Sequence, residues 1–199
     1  MSPEMRIGGG LLRGRKIFSF GKAFRPTSGI IKKSLFDTIG PDIENARFLD
    51  LFAGSGAVGL EALSRGADRV CFVEIDVSTT EVIRKNIDRL EIGRDAYEIL
   101  MLDYSRALGV LRDRREKFDY VYVDPPYGGA EPPRILGDIA ASTVLAEDGE
   151  IVYESARRDA RRIAQSVPHE FWPLKEKVHG GTALVFLRWR VRKNSGQEE

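Results

Sequence analysis

Asp124-Pro125-Pro126-Tyr127 places a carboxylate, two stiff imino residues and an aromatic ring in four consecutive positions. A carboxylate and the Pro125 carbonyl can each accept one hydrogen of an NH₂ group, and a ring beside them can stack on the plane that carries it. An exocyclic amine conjugated with a heterocycle is a poor nucleophile, because its lone pair is delocalised. Holding both hydrogens turns that lone pair toward an electrophile, so the main catalytic contribution is positioning. A strong base is not required, since the alkylated, cationic nitrogen sheds its proton readily. Phe118 to Val123, just upstream, alternates aromatic and β-branched residues and reads as a buried strand. The two prolines stop it, because neither donates to a sheet ladder. Asp124 therefore sits at the carboxyl end of a strand, where open parallel sheets bind their ligands. Asp-Pro-Pro also occurs as a plain strand-ending turn, so the chemical reading needs a second motif.

That motif is Asp50-Leu51-Phe52-Ala53-Gly54-Ser55-Gly56-Ala57-Val58-Gly59, at the junction of another strand and its helix. Gly54, Gly56 and Gly59 match G-x-G-x-x-G, and Glu74 follows twenty residues after Gly54. The glycines allow close backbone approach to a ligand, and Glu74 can accept both hydroxyl hydrogens of a ribose. An adenosine-type cofactor follows. Asp50 speaks against a diphosphate, because an anion at the loop mouth repels it. It favours a cationic ligand end, and S-adenosylmethionine carries an ammonium, a sulfonium and a ribose. The plain alternative for Asp50 is a cap on the loop or helix, which is compatible with that role. Phe52 and Ser55 belong to the same loop. Asp103, at the end of a third strand, can accept from an adenine amino group with Tyr104 beside the ring; a helix cap is the competing reading. Ile75 is expected to pack on the adenine, against ordinary core.

The elements that hold these residues alternate along the chain. Strands are expected at Arg47 to Phe52, Arg69 to Glu74, Tyr97 to Leu102, Phe118 to Val123, Glu150 to Tyr153, Trp172 to Val178 and Thr182 to Arg190. Helices are expected from Gly54 to Arg65, after the capping box Ser78-Thr79-Thr80-Glu81, near Tyr104 to Asp113, near Pro133 to Ser142 and from Arg157 to Gln165. Glu147-Asp148-Gly149 reads as a turn, and His179-Gly180-Gly181 as the tip of a hairpin. The pattern predicts an α/β fold: a Rossmann-like, doubly wound, mostly parallel seven-stranded sheet with an antiparallel C-terminal hairpin. Ahead of it, residues 5–18 read as a glycine-rich hairpin. A helix starts near Thr27 or Ser28, carries Ile31, Leu35, Phe36 and Ile39 on one face, and ends at Gly40-Pro41. Residues 1–40 thus form a short N-terminal extension, 41–192 the main domain, and 193–199 a polar tail expected to be disordered.

Composition narrows the setting. The 199 residues are 42% hydrophobic and 31% charged, as in soluble globular domains. No run of about 18 apolar residues suggests a membrane span, and no apolar leader is evident, so the cytoplasm is the expected address. The single cysteine, Cys71, excludes an internal disulfide, and His169 and His179 have no metal-ligand spacing. No metal is expected. The overall charge of +1 conceals an asymmetry: residues 1–33 carry eight basic side chains against Glu4 alone. A basic segment on a mildly acidic body suits a polyanion, although a solvated basic surface would look the same. Arg6, Arg13, Arg15, Lys16, Arg25, Thr27 and Lys32 are the candidates for phosphate contact; Arg25 and Thr27 could instead meet a cofactor carboxylate at the helix start.

Taken together, the tetrapeptide and the Asp50 to Gly56 loop resemble those of the S-adenosylmethionine-dependent amino-methyltransferases. Arg6-Ile7-Gly8-Gly9, Arg13-Gly14-Arg15-Lys16, Arg25-Pro26-Thr27, Leu35-Phe36, Gly59 to Gly66 and Val152-Tyr153-Glu154-Ser155 narrow the resemblance to the bacterial 16S ribosomal RNA guanine-N2 methyltransferases. It runs from about Arg6 to Arg190. Where that family usually has an acidic and a basic residue after Arg-Pro-Thr, this chain has Ser28-Gly29. The resemblance implies a class I methyltransferase fold and methyl transfer from S-adenosylmethionine to the N2 amine of a guanine in small-subunit ribosomal RNA. It further implies Asp124, Pro125, Pro126 and Tyr127 at the reacting base, with ribosomal RNA or a small-subunit particle as partner. A monomer suffices. A base inside folded RNA must be turned out of its stack to reach the tetrapeptide. Other readings are a DNA adenine-N6 or cytosine-N4 methyltransferase, a protein glutamine methyltransferase, an NAD(P) dehydrogenase and a non-catalytic RNA-binding assembly factor.

Overall fold

The computed structural model describes residues 5–19, 29–126 and 131–190. Its strands are β1 (Met5–Arg6), β2 (Lys16–Ile17), β3 (Arg47–Asp50), β4 (Arg69–Val73), β5 (Tyr97–Leu100), β6 (Phe118–Val123), β7 (Leu145–Ala156), β8 (Phe171–His179) and β9 (Thr182–Trp189). Its α-helices are α1 (Gly29–Ile39), α2 (Ala57–Ser64), α3 (Val77–Leu90), α4 (Tyr104–Asp113), α5 (Pro132–Ser142) and α6 (Arg157–Gln165). Seven strands make one sheet in the order β5-β4-β3-β6-β7-β9-β8. β3 to β7 run parallel, and β9 pairs antiparallel with both β7 and β8. β1 and β2 form a separate antiparallel ribbon. The expected doubly wound sheet with its antiparallel hairpin is what the chain builds.

Period-two alternation assigns each strand residue to a layer. Phe48, Val70, Phe72, Tyr120, Tyr122 and Val152 face one way and pack with apolar residues of α1, α2 and α3. Leu49, Cys71, Val73, Val121, Val123 and Ile151 face the other way and pack with α4, α5 and α6. The chain leaves β3 for α2 on one face and β6 for α5 on the other. The strand order reverses between these two neighbours, so a crevice opens at their carboxyl ends. Asp50 and Asp124 both lie there, since Asp50 is paired with Tyr122 in the β3–β6 register.

Local chemistry departs from expectation in three places. α3 is capped by Asp76, whose carboxylate accepts from the Thr79 N–H at 2.7 Å and the Ser78 hydroxyl at 2.6 Å. The Ser78 capping box does not form, because the stronger acceptor two residues earlier takes the N-cap position. Glu147-Asp148-Gly149 is not a free turn but lies within β7. Phe118 faces Leu145 and Tyr120 already faces Glu150, so residues 146–149 stand against Asp119 alone and bulge out of the ladder. Finally, α2 starts at Ala57 rather than Gly54, because Gly54 and Gly56 hold left-handed φ values of +53° and +76°. The N-cap expected at Thr27 or Ser28 and the tail 193–199 lie outside the described residues.

Candidate active site

Asp50 is buried, and its Oδ2 accepts the N–H of Gly59, the third residue of α2, at 3.0 Å. The helix N-terminus is the seat that a pyrophosphate takes in a dinucleotide fold, and here the chain's own carboxylate fills it. Burial pushes the Asp50 carboxyl up to about 7; the Gly59 N–H opposes this, and the nearby charge of Glu74 adds to it. Gly59 is required for another reason. A Cβ there would stand 2.4 Å from a ring carbon of Phe72, so the glycine sets how closely α2 lies on β4.

Glu74 follows β4. Its two carboxylate oxygens accept the N–H groups of Gly54 and Asp76, each at 2.9 Å. Each oxygen keeps a second lone pair, so the carboxylate is oriented and still able to accept two hydroxyls. Ile75 beside it is 65% exposed, which excludes the core alternative for this residue. Val77 and Met101, which follow β4 and β5, are exposed as well. Asp103 caps α4, accepting from the Ser105 N–H at 2.9 Å and hydroxyl at 2.7 Å. Burial works against its ionisation, yet the bonds from Ser105 and neighbouring N–H groups hold its carboxyl below the usual range.

Tyr104 is not open to a ligand as the sequence suggested. It is buried, its hydroxyl donates to Asp138 at 2.9 Å, and its ring lies 5.3 Å from Phe52. The first turn of an amphipathic helix carries it into the α4–α5 core, where it supports Phe52. The Ser55 carbonyl accepts from Asn86, a buried residue of α3. Asn86 also bonds both backbone groups of Phe18, tying the N-terminal ribbon to the glycine loop. Sequence reasoning missed Asn86. Its signal was a polar residue on the face of Ile83, Ile87 and Leu90.

Asp124 stands half-buried just past β6. Among the described residues no N–H or O–H reaches its carboxylate. Burial, then the charges of Glu154 and Asp50, push its carboxyl well above the ordinary value. Pro125 is half-buried and Pro126 exposed. Tyr127, Arg25 and Thr27 lie outside the described residues. Glu154, near the end of β7, is the second residue that sequence reasoning left without a site role. It accepts from the Tyr122 hydroxyl.

The basic candidates divide. Arg6, Arg13 and Arg15 are exposed, and Lys16 is half-buried. The Arg6 guanidinium donates to the Gly14 carbonyl at 2.9 Å and that of Arg15 to the Arg89 carbonyl at 2.7 Å. Lys32 does not reach solvent. It is 2% exposed, lies 2.8 Å from Glu61, and donates to the Arg6 carbonyl at 3.1 Å. It shares the buried face of Leu35, Phe36 and Ile39 at helical spacing, so its charge is spent inside the protein rather than on a phosphate. The ribbon docks beside it. The N–H groups of Leu11 and Leu12 donate to the Ser64 carbonyl and hydroxyl, and a Cβ at Gly10 would fall 1.7 Å from that carbonyl oxygen. Arg13 and Arg15 thus stand by the far ends of α2 and α3, while Phe18 reaches the glycine loop. His179, at the hairpin tip, bonds Ser34 of α1 at 2.6 Å.

A diphosphate has no seat at this loop, whereas a cationic ligand end does. That difference separates the methyltransferases from dinucleotide enzymes with the same glycine spacing, and the chain is a Rossmann-like, S-adenosylmethionine-dependent methyltransferase. It belongs to the family described as Conserved hypothetical protein 95, whose model matches residues 5–188, together with the ribosomal RNA small subunit methyltransferases D. The Haemophilus influenzae protein of that description is 32% identical, over 89% of this chain and 90% of its own. The Escherichia coli one is also 32% identical, over 92% of this chain and 88% of its own. A solved Escherichia coli structure, described as the candidate methyltransferase yhhF, has a TM-score of 0.80 at 28% identity and covers 96% of this chain and 100% of its own.

Proposed function

We propose that this chain transfers a methyl group from S-adenosylmethionine to the exocyclic N2 amine of a guanine in 16S ribosomal RNA. The observation that carries the reading is the Asp124 carboxylate at the sheet's switch point, which has no donor of its own among the described residues. Such an acceptor takes its hydrogen bonds from a ligand, and an aromatic NH₂ is the group it suits. The relatives named as small-subunit ribosomal RNA methyltransferases support RNA as the carrier of that amine.

Bound S-adenosylmethionine supplies a methyl group on a cationic sulfur. Glu74 would hold the ribose and Ile75 the adenine face, with Asp103 at the adenine amine. Asp50, under the α2 N-terminus, gives the cationic end of the ligand a counter-charge beside Phe52, Gly54, Ser55 and Gly56. Asp124 and the Pro125 carbonyl orient the base amine on the stiff turn that Pro126 completes, and Tyr127 stacks on the base. Arg6, Arg13, Arg15 and Lys16, with Arg25 and Thr27, would meet the RNA backbone. In this reading residues 1–40 are the RNA-contact segment of a monomer acting in the cytoplasm on ribosomal RNA or a small-subunit particle. Among the described residues no helix is long and apolar enough to cross a membrane.

Labelled S-adenosylmethionine offered with free 16S RNA, small-subunit particles and DNA tests this, with nucleoside mass spectrometry of the product. N2-methylguanosine in RNA is the expected product; N6-methyladenosine or methylated DNA would replace the reading. Asp124→Ala should lower kcat by about a thousandfold or more, as expected when a positioning group is lost. Calorimetric cofactor affinity should stay within about threefold (~0.7 kcal/mol).

A further inference from the structure

Asp124 accounts for an amine but not for which base carries it. Guanine, adenine and cytosine each have an exocyclic NH₂, and they differ in the ring atom beside it on the pairing edge. In guanine that atom is N1, which bears a hydrogen. In adenine it is N1 and in cytosine N3, each with a lone pair. A second acceptor one step from Asp124 therefore selects guanine, and a second donor would select the other two.

Glu154 is placed to be that acceptor. Val123 faces Tyr153 in the parallel β6–β7 register, so Asp124 and Glu154 come next at the same level. Tyr122 faces Val152 one row earlier, and side chains two residues on return to the same face. Glu154 and Asp124 thus leave the sheet on the side of Tyr122, whose hydroxyl donates to Glu154 Oε2. That bond fixes the carboxylate while using one oxygen. No donor among the described residues reaches the other. Burial pushes the Glu154 carboxyl above its ordinary value, the Tyr122 hydroxyl opposes that shift, and a second donor from a ligand would add to the opposing side.

We propose that Glu154 is the guanine-selecting residue of this site, its free carboxylate oxygen accepting the base N1–H while Asp124 accepts from the N2 amine. The inference rests on the guanine-N2 reading above. The N1 hydrogen stays on the base, and no bond is made or broken by Glu154. Adenine or cytosine in the same pose would turn a ring lone pair toward the carboxylate, two acceptors with no hydrogen between them.

A 16S RNA fragment carrying 2-aminopurine at the target tests it, because this base keeps the 2-amine but has a lone pair at N1. The wild-type protein should prefer guanine over 2-aminopurine by about a hundredfold or more in kcat/KM. Glu154→Gln should shrink that ratio by about tenfold or more, since its amide can donate to the lone pair. A merely structural role would slow both substrates alike and leave the ratio unchanged. Cofactor binding by calorimetry reports that the variant is folded. Tyr122→Phe, which keeps the carboxylate but removes its anchor, should move the ratio in the same direction. An unchanged ratio in a cofactor-binding variant overturns the proposal, as would loss of cofactor binding by both variants, which would make Glu154 a folding residue. A wild-type product other than N2-methylguanosine overturns the guanine-N2 reading instead.

Discussion

Glu61, beneath the N-terminal ribbon, and Asp50 and Asp124, at the crevice, are carboxylates wholly or partly withdrawn from water. They are treated in opposite ways. Glu61 is 1% exposed and is met by Lys32, Arg65 and the Gly8 N–H. Burial alone would raise its pKa, but the Lys32 bond and charge, then Arg65 and Gly8, hold it below the ordinary value. Asp50 has one backbone donor, and Asp124 has none among the described residues. Both are pushed upward, by burial first and by neighbouring carboxylates as well. A fully paired buried carboxylate fixes structure. An underpaired one keeps its capacity for a ligand, at a cost to the stability of the free protein.

The largest effect that would break this comparison is on stability. Glu61→Ala leaves the Lys32 ammonium buried without its partner and frees the ribbon at Gly8. It should cost about 3–5 kcal/mol, the usual penalty for halving a buried pair, read from urea unfolding. Asp124→Ala, measured the same way, should cost almost nothing or stabilise. If the two losses were equal, the crevice carboxylate would be structural after all.

Asp50 gives the next effect and fixes its sign with pH. Its carboxyl titrates at about 7 in the folded chain against an ordinary value of 3.8. Between those values the folded state holds a proton that the unfolded state has lost. The stabilisation from that proton is complete below the unfolded value and is lost as pH rises through the folded one. Asp124 and Glu154 are shifted in the same direction. The ligand-free protein should therefore lose stability from about pH 4 to pH 8. Asp50→Asn should flatten part of this fall and raise stability at pH 8 by a few kcal/mol, on the order of 2–3, because the amide can still accept from Gly59. The same substitution should weaken S-adenosylmethionine binding. Unfolding curves at both pH values and one titration check the pair. Stabilisation without loss of affinity would leave Asp50 as a helix cap only.

What could be read from sequence follows the same division. The strand Phe118 to Val123 and the helices Tyr104 to Asp113 and Arg157 to Gln165 have the expected bounds, because periodicity and their terminators act locally. Asp50 and Asp124 were legible because a strand end and a glycine or proline turn fix where each carboxylate emerges. Glu154 was not, since its importance depends on the β6–β7 register, which pairs residues 30 positions apart. Lys32 was misread as a surface cation because a basic segment invites that reading. Its counter-ion, Glu61, lies on another helix, although the stripe it shares with Leu35 and Ile39 was visible. Tyr104 differs by one step of helical rotation: Asp103 caps α4, and the next residue turns into the α4–α5 core. Asp76 outcompeted Ser78 as a cap, a contest between acceptors that the sequence displays without deciding.

The smallest effect separates the cations of the ribbon from the one beneath it. Arg13 and Arg15 lie by the far ends of α2 and α3, and α2 itself spans about 12 Å at 1.5 Å per residue. RNA held there must extend well past the crevice, as a structured fragment does and a free nucleotide does not. Arg13→Ala and Arg15→Ala should each lower the slope of log affinity against log salt by about 0.7–0.9, without altering which base is methylated. Fluorescence anisotropy with a 16S RNA fragment at several salt concentrations reads this directly. Lys32→Ala should leave the slope unchanged and lower the urea midpoint instead, because its charge already faces Glu61 at 2.8 Å. A reduced slope for Lys32→Ala would mean that the paired interior lysine opens to RNA, and the division between structural and ligand-directed charge would then fail on the cationic side.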